Sequence, residues 1–534
     1  MGRHDAGPRR RAATDFDVRD FGATGDGRTI DSPAINRAIA AAAVQGGGIV
    51  RLPAGGTYAC FSIRLRSNVE LVIEAGATLL AAQPKPGAGY DAPEPNSPND
   101  RFEDFGHSHW HNSLIWGENL RHVTILGPGR IYGFGLSRGH PGAWRAATPR
   151  ERAAGQRGPA APLAVTGPSG PFGYPSPSDS LPDGIGDKSI ALKDCRNVVL
   201  RDLTIYHGGH FGILATGDDN LTIDNLTIDT DRDGMDIDSC RNVRISDCAV
   251  NSPFDDGICL KSDHALGRNR ACENIAITNC HVSGFEEGTL LSGRDIRGPR
   301  PGTGRIKFGT ESNGGFKNVV ISNCTFDDCD GLAIEEVDGG SLENVAITNL
   351  TMRDIGNSAI YIRLGSRNRG PAGTRTGTLR RVTISDVVAT NVDPRYSSII
   401  SGIPGHSIED LTLADIRILY RGGGTAAQAR IEPPELENDY PEPARQGVVP
   451  AYGFFIRHAR NIVFHDIDLG TKRTDARPPF VLEDVQGADF HDIRAAHEFG
   501  RPTFVLHHVT GFAARAVAGL PDVNDPAEIA EGNF

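Results

Sequence analysis

One short phrase returns along the chain at a nearly fixed interval. It reads CRNVVLRDLTI from Cys195, DNLTIDNLTI from Asp219, CRNVRISDCAV from Cys240 and CENIAITNCHV from Cys272. It continues as KNVVISNCTF from Lys317, ENVAITNLTM from Glu343, RVTISDVVA from Arg381 and RNIVFHDIDL from Arg460. Each copy alternates apolar and polar residues, the period of a half-buried strand. Taking the Asn of each phrase as a marker, Asn197 to Asn220 is 23 residues, Asn220 to Asn242 is 22, and Asn274 to Asn318 is 44. A period near 22 built from short strands and turns is that of a solenoid. The fold class that follows is all-β, a right-handed parallel β-helix in which each coil hydrogen-bonds to its neighbours about 4.8 Å away. Leucine-rich repeats need a Leu/Asn consensus and propeller blades a period of roughly 40 or more, so neither fits.

The end of such a stack exposes unpaired strands. Asp31-Ser32-Pro33 offers a capping residue followed by Pro at the first helical position, and AINRAIAAAAVQ then reads as an amphipathic helix ended by Gly46-Gly47-Gly48. This predicts an N-terminal helical cap. Residues 1–15 read as a disordered tail and 16–534 as one β-helix domain. Three stretches break the repeat, near 84–113, 137–187 and 421–450, and loops of that length are usually functional or disordered. All three tryptophans, Trp110, Trp116 and Trp144, lie in or beside the first two. Trp116 is the candidate sugar platform, against the alternative of loop packing. His107, His109 and His111 alternate but read as solvated loop residues.

Composition narrows the partner. The net charge is −12 at pH 7, which argues against nucleic acid or an anionic membrane surface. No run approaches the ~20 apolar residues of a membrane helix, and the N-terminus has no apolar segment after its arginines. The expected location is cytoplasmic, or secreted with the signal absent from this chain. The nine cysteines recur beside turn residues and form no C-x-x-C pair, so they mark repeat positions and no metal is expected. Asp229-x-Asp231-x-Asp233-Gly234 opens like an EF-hand loop, but its twelfth residue is Cys240. FGATGDG lacks the Lys of a phosphate-binding loop, and no cofactor is expected.

Acidic residues stack when the repeats are laid in register. Arg232-Asp233-Gly234, Asp255-Asp256-Gly257, Glu286-Glu287-Gly288 and Cys329-Asp330-Gly331 occupy corresponding turns, and Asp233, Asp255 and Glu287 each lie 13 residues after their marker Asn. Like charges at one-coil spacing repel, so clustered acids separate their pKa values, which is how a site obtains both an acid and a base. Asp233, Asp255 and Asp256 are the catalytic candidates. His210, Lys261, Glu286, Glu287, Glu335 and Glu336 are candidate sugar-binding residues, together with Trp116.

The opening VRDFGATGDGRTIDSPAINRAIAAAAVQGGGIVRLPAG resembles the entry segment of pectin-degrading β-helix enzymes. DRDGMDIDSCRNVRISDCAVNSPFDDGICLKS resembles the active-site region of the polygalacturonases, glycoside hydrolase family 28. The family's Asn-Thr-Asp-Gly matches Asp231-Arg232-Asp233-Gly234, and its Gly-Asp-Asp falls on Phe254-Asp255-Asp256. The family's Gly-His-Gly has no counterpart. Its Arg-x-Lys, which holds substrate carboxylates, is absent from Leu332-Ala333-Ile334-Glu335-Glu336 and occurs one coil early as Arg305-Ile306-Lys307, a candidate carboxylate clamp. The resemblance implies an inverting hydrolase of pectic or related oligo- or polysaccharides, with Asp255 as general acid and Asp233 and Asp256 activating water. Carboxylates about 6.5–9.5 Å apart would leave room for that water. The long insertions predict a walled groove and exo action or a branched substrate. The alternatives are a β-helix lyase or epimerase and a non-catalytic carbohydrate-binding protein.

Overall fold

The computed structural model describes residues 14–104, 106–138, 181–497 and 500–534. It is a right-handed parallel β-helix in which one continuous sheet runs the length of the chain. Each coil through the middle carries three strands. Phe211–Thr216, Asp219–Asp224 and Thr227–Asp229 form one coil, and Asp233–Asp238, Arg241–Ser246 and Ala249–Asn251 form the next. Corresponding strands pair in parallel, with Ile213 opposite Met235, Leu221 opposite Val243 and Ile228 opposite Val250.

Alternation along each strand sends one set of residues inward. One interior row runs Ala215, Ile237, Leu260, Phe308, Ile334, Ile362, Ile400, Ile456, Leu482, Leu506 across successive coils. All ten are fully buried. Burying one such Ile or Leu stabilises by roughly 1.5–3 kcal/mol, and the row repeats that contribution coil after coil.

The marker asparagines have a structural reason. Asn197, Asn220, Asn242, Asn274, Asn318 and Asn344 all adopt left-handed backbone, with φ between 56° and 61°. Asn tolerates that region better than other residues with a Cβ. Their amides also stack: Asn220 donates to Asn197 at 2.6 Å, Asn274 to Asn242 at 3.1 Å, and Asn318 to Asn274 at 3.2 Å. The nine cysteines are all buried and free, as expected of repeat positions.

The N-terminal cap is the helix Ser32–Val44, which lays Ala34, Ile35, Ala38, Ile39 and Ala42 on the end of the stack. Asp31 precedes it but makes no side-chain cap. Its carboxylate instead accepts from the backbone N–H groups of Thr24 and Gly25, at 2.7 and 3.0 Å, and closes that turn. Regular structure begins within the expected tail, since Asp15–Asp17 is a strand paired to the strand Gly48–Leu52. At the far end Val523–Asn533 folds back antiparallel on Phe504–Arg515 and covers the last coil. No helix among the described residues is long and apolar enough to cross a membrane. Most of the 137–187 insertion, including Trp144, lies outside the described residues.

The other two insertions lie on the outward face of the first strand of each coil. The 84–113 segment covers Ala191, Phe211 and Leu214 with Trp110, and Trp116 of the strand Ser113–Glu118 packs at the edge of this patch. The 421–450 segment covers Ala333, Tyr361, Ile399, Phe455 and Val481 with Val449 and Ala451. Between these two apolar patches the same outward row reads Asp236, Cys259, Lys307.

Candidate active site

The polar window in that row is built by three adjacent strands, Asp233–Asp238, Ile258–Lys261 and Ile306–Phe308. Asp233, Asp255 and Asp256 meet at its edge, each offering a carboxylate oxygen within 4.8 Å of the others. Tight turns hold them: Gly234 N–H donates to the Asp256 carbonyl at 3.0 Å, and Gly304 N–H to the Asp255 carbonyl at 2.8 Å. Gly234 leaves no space for a side chain, since a Cβ there would meet the Gly257 carbonyl at 2.4 Å.

Their environments differ. Asp256 accepts from Arg305 Nε at 2.8 Å on one oxygen and lies 3.2 Å from Lys307 Nζ on the other. Burial alone would raise its carboxyl, but the charges of Lys307, Arg305 and Lys261 outweigh it and hold the pKa at about 2. Asp233 is buried, and burial followed by the charges of Asp236 and Asp255 outweighs those of Lys261 and Arg232 and pushes its carboxyl well above the usual range. Asp255 sits on the rim, its side chain 27% exposed and 2.7 Å from Arg232. Within the trio burial and neighbouring charges thus push Asp233 and Asp256 in opposite directions, the separation an acid–base pair requires. The carboxylates are closer than the expected 6.5–9.5 Å, so spacing by itself does not argue for inversion.

Arg305 and Lys307 do reach the trio, but not as an open clamp. Arg305 also donates to Glu442 at 3.2 Å, and Lys307 donates to the Tyr440 hydroxyl at 3.3 Å. Both partners come from the 421–450 segment, and they bury the two cations to 3% and 2% exposure. Glu442 also accepts from Asn357, so this segment crosses the coils that follow the trio. Lys261 is likewise buried, 2.9 Å from Glu311 and 3.8 Å from Asp236. His210 Nε2 lies 3.8 Å from Asp233, and burial pushes its pKa well down, favouring the neutral ring.

Several expected contacts are corrected. Glu286 and Glu287 do not continue the acidic column. The segment 284–304 leaves the coil, so Arg305 occupies the position next to the Asp pair, with its carbonyl accepting from Gly257 N–H at 2.9 Å. Glu287 turns to His207, and Glu286 is exposed. Glu335 faces Lys307 at 3.8 Å, and burial raises its carboxyl to about 7. Glu336, next along the strand, points the other way and accepts from Gly340 N–H at 2.8 Å, a turn-holding role. Trp116 lies three coils from Asp236 in the outward row, roughly 14 Å at one coil per 4.8 Å. Its indole donates to Asp91 at 2.8 Å and its ring packs on His111, so it secures the insertion. His107 and His109 are buried rather than solvated. His107 Nε2 lies 3.0 Å from Asp236, which links the first insertion to the floor of the site.

His107, Asp236, Glu311, Tyr440 and Glu442 were not among the expected site residues. Asp236 had a local signal, an acid at an outward position of a strand next to a catalytic candidate. His107, Tyr440 and Glu442 had none, since their partners lie more than 100 residues away.

Comparison with known proteins agrees with this architecture. Residues 183–370 match the family model described as a right-handed β-helix region. Residues 16–90 match the model described as rhamnogalacturonase A/epimerase, pectate lyase-like. A probable polygalacturonase of Vitis vinifera is 23% identical over 420 residues, covering 75% of this chain and 73% of the relative. The family 28 exopolygalacturonase of Yersinia enterocolitica superposes with a TM-score of 0.62 at 18% identity, covering 91% of this chain and 79% of that one. The exopolygalacturonase of Thermotoga maritima gives a TM-score of 0.53 at 19% identity, covering 99% and 97%. The chain is thus similar in sequence to polygalacturonases and shares with the family 28 exopolygalacturonases the fold of a right-handed parallel β-helix.

Proposed function

We propose that the protein is an O-glycoside hydrolase that cleaves a pectic-type substrate, derived from galacturonan or rhamnogalacturonan, or a related glycoside. The observation that carries this reading is the Asp233–Asp255–Asp256 trio, whose carboxylate oxygens lie within 4.8 Å of one another, with Asp256 paired to Arg305 and Lys307. Names of similar proteins from Vitis vinifera and Yersinia enterocolitica point the same way.

The reaction is direct attack of water with inversion. Asp256 is a poor covalent nucleophile, because each oxygen already faces a cation. It still has lone pairs to accept a proton from a water. The raised carboxyl of Asp233 is the trio's proton reservoir; its proton passes to Asp255, which lies within 4.8 Å and is 27% exposed on the rim, and Asp255 delivers it to the leaving oxygen. The C–O bond breaks, the water oxygen bonds the anomeric carbon, and the water's proton passes to Asp256. The trio again carries one proton at the end. Exo action is supported by the 421–450 insertion, whose Tyr440 and Glu442 contact Lys307 and Arg305 beside the trio.

The test is a panel of aryl glycosides and pectic oligomers. Activity is expected with the product's first anomer opposite to the substrate linkage by NMR. Asp255→Asn should be rescued by a good leaving group such as dinitrophenolate, and Asp256→Asn should not. A product absorbing in the ultraviolet would instead indicate elimination. No turnover on any member of the panel would overturn the hydrolase reading.

A further inference from the structure

The cations around the trio fall into two groups. Arg305 is held by Asp256 and Glu442, Lys307 by Asp256 and Glu335, and Lys261 by Glu311 and Asp236. All three are buried. On the rim, Arg138 and Arg232 keep 23% and 21% of their side chains exposed. Arg138 pairs with Asp231 and lies over the Phe254 ring, 5.5 Å from its centroid. Arg232 lies 2.7 Å from Asp255.

What each rim arginine would leave behind separates the two. A ligand carboxylate that drew Arg138 away would strand Asp231, which is buried, and a buried acid stripped of its cation is costly. The acid facing Arg232 is Asp255, which is partly exposed and has the Asp233 carboxyl within 4.8 Å. Asp255 can therefore become neutral by taking a proton. As general acid it must carry that proton before the glycosidic bond breaks, and the proton removes the Asp255 charge from Arg232. A carboxylate of the substrate would restore it, and the planar guanidinium matches a carboxylate at two points.

We infer that Arg232 determines specificity in the proposed reaction by exchanging Asp255 for the carboxylate of a uronate that flanks the cleaved bond. The Arg232–Asp255 contact breaks, the proton of Asp233 moves to Asp255, and the guanidinium donates to the substrate carboxylate. Binding of an acidic substrate thereby loads the general acid. This rests on the hydrolase reading and places the recognition of substrate charge on the rim, away from the sealed Arg305 and Lys307.

The test uses galacturonate and rhamnogalacturonate oligomers and their carboxyl-reduced counterparts, which keep the linkages and lose the charge. Hydrolysis is followed as kcat and KM, and binding is titrated in parallel by calorimetry. The wild-type protein should favour an acidic oligomer over its reduced counterpart by at least about tenfold. Arg232→Gln should lower that ratio of kcat/KM by about ten- to a hundredfold, with a rise in KM for the acidic member, the scale of a charge-assisted hydrogen bond. Arg232→Lys keeps the charge without the two-point fork and should lose a smaller part of the ratio. It carries the test if circular dichroism shows Arg232→Gln unfolded. A purely structural role would lower activity on both members alike. Hydrolysis with an unchanged ratio in the folded variants would overturn the inference and leave the hydrolase reading intact. A wild-type preference for the reduced oligomers, or no binding of either class, would also overturn it. Binding of acidic oligomers that Arg232→Gln weakens, without turnover, would support the inference while overturning the hydrolase reading.

Discussion

Lys307→Met tests the electrostatic design of the trio. The ammonium lies 3.2 Å from Asp256 and is its largest stabilising charge. At that distance and an effective dielectric of about 20, the pair is worth at most roughly 5 kcal/mol, or nearly four pKa units. Arg305 stays hydrogen-bonded to the same carboxylate at 2.8 Å, and water can enter the space left by the lysine. The net rise in the Asp256 pKa should then be smaller, on the order of 1–2 units. Asp256 as the base predicts that the acidic limb of kcat/KM follows its pKa. That limb should start near the wild-type value of about 2 and move upward in the variant. The assay is kcat/KM against pH from strongly acidic to neutral, with circular dichroism at each pH to exclude unfolding. Methionine keeps most of the volume, and Tyr440 loses a hydrogen bond at 3.3 Å and a cation 5.5 Å from its ring centroid. An acidic limb that does not move in a folded Lys307→Met protein would refute the assignment of Asp256 as base.

Asp233→Asn, Asp255→Asn and Asp256→Asn should each lower kcat by on the order of 10²–10⁴ while far-ultraviolet circular dichroism stays native. A variant near wild-type kcat removes that residue from the mechanism. Burial raises Glu335 and Asp330 each to about 7, so these groups favour the folded state fully only below their unfolded pKa near 4. That contribution is lost as pH rises through about 7, so Tm should fall from pH 5 to 8, and Glu335→Gln should lessen the fall. Ile334→Ala, in the interior row, should destabilise by about 2–5 kcal/mol in denaturant unfolding.

The repeat made the fold readable because its marker does two physical jobs. Asn at each turn supplies the left-handed backbone and also stacks its amide on the coil below, so the residue type recurs wherever a coil closes. The same regularity misled the placement of Glu287. Counting 13 residues from Asn274 assumes an uninterrupted coil, whereas hydrogen bonding resumes only at Arg305 after the 284–304 excursion. Register is set by which backbone groups pair, and an excursion that returns to the same edge leaves no mark in the residue count. The insertions posed a different difficulty. Their composition announced loops, but what His107, Tyr440 and Glu442 touch depends on how each loop folds back across the stack.

A more general signal was present in the outward row of the first strands. Such a row can be covered by a loop only where it is apolar, since an uncompensated charge beneath a loop carries a large desolvation cost. Leu214 on one side and Ala333, Tyr361 and Ile399 on the other meet that condition and are covered. Asp236 and Lys307 between them do not, and each is retained only through a network: His107 and Lys261 around Asp236, and Asp256, Glu335 and Tyr440 around Lys307. A change from apolar to charged at this outward position of successive repeats is therefore a second mark of the site, independent of the acidic turns. Turn acids have a backbone reason to exist anywhere along the stack. Asp236 and Lys307 have no such local reason and lie beside Asp233 and Asp256, whereas the buried outward Arg363 and Arg457 are accounted for by the loop carbonyls of Glu435, Leu436, Pro433 and Pro434.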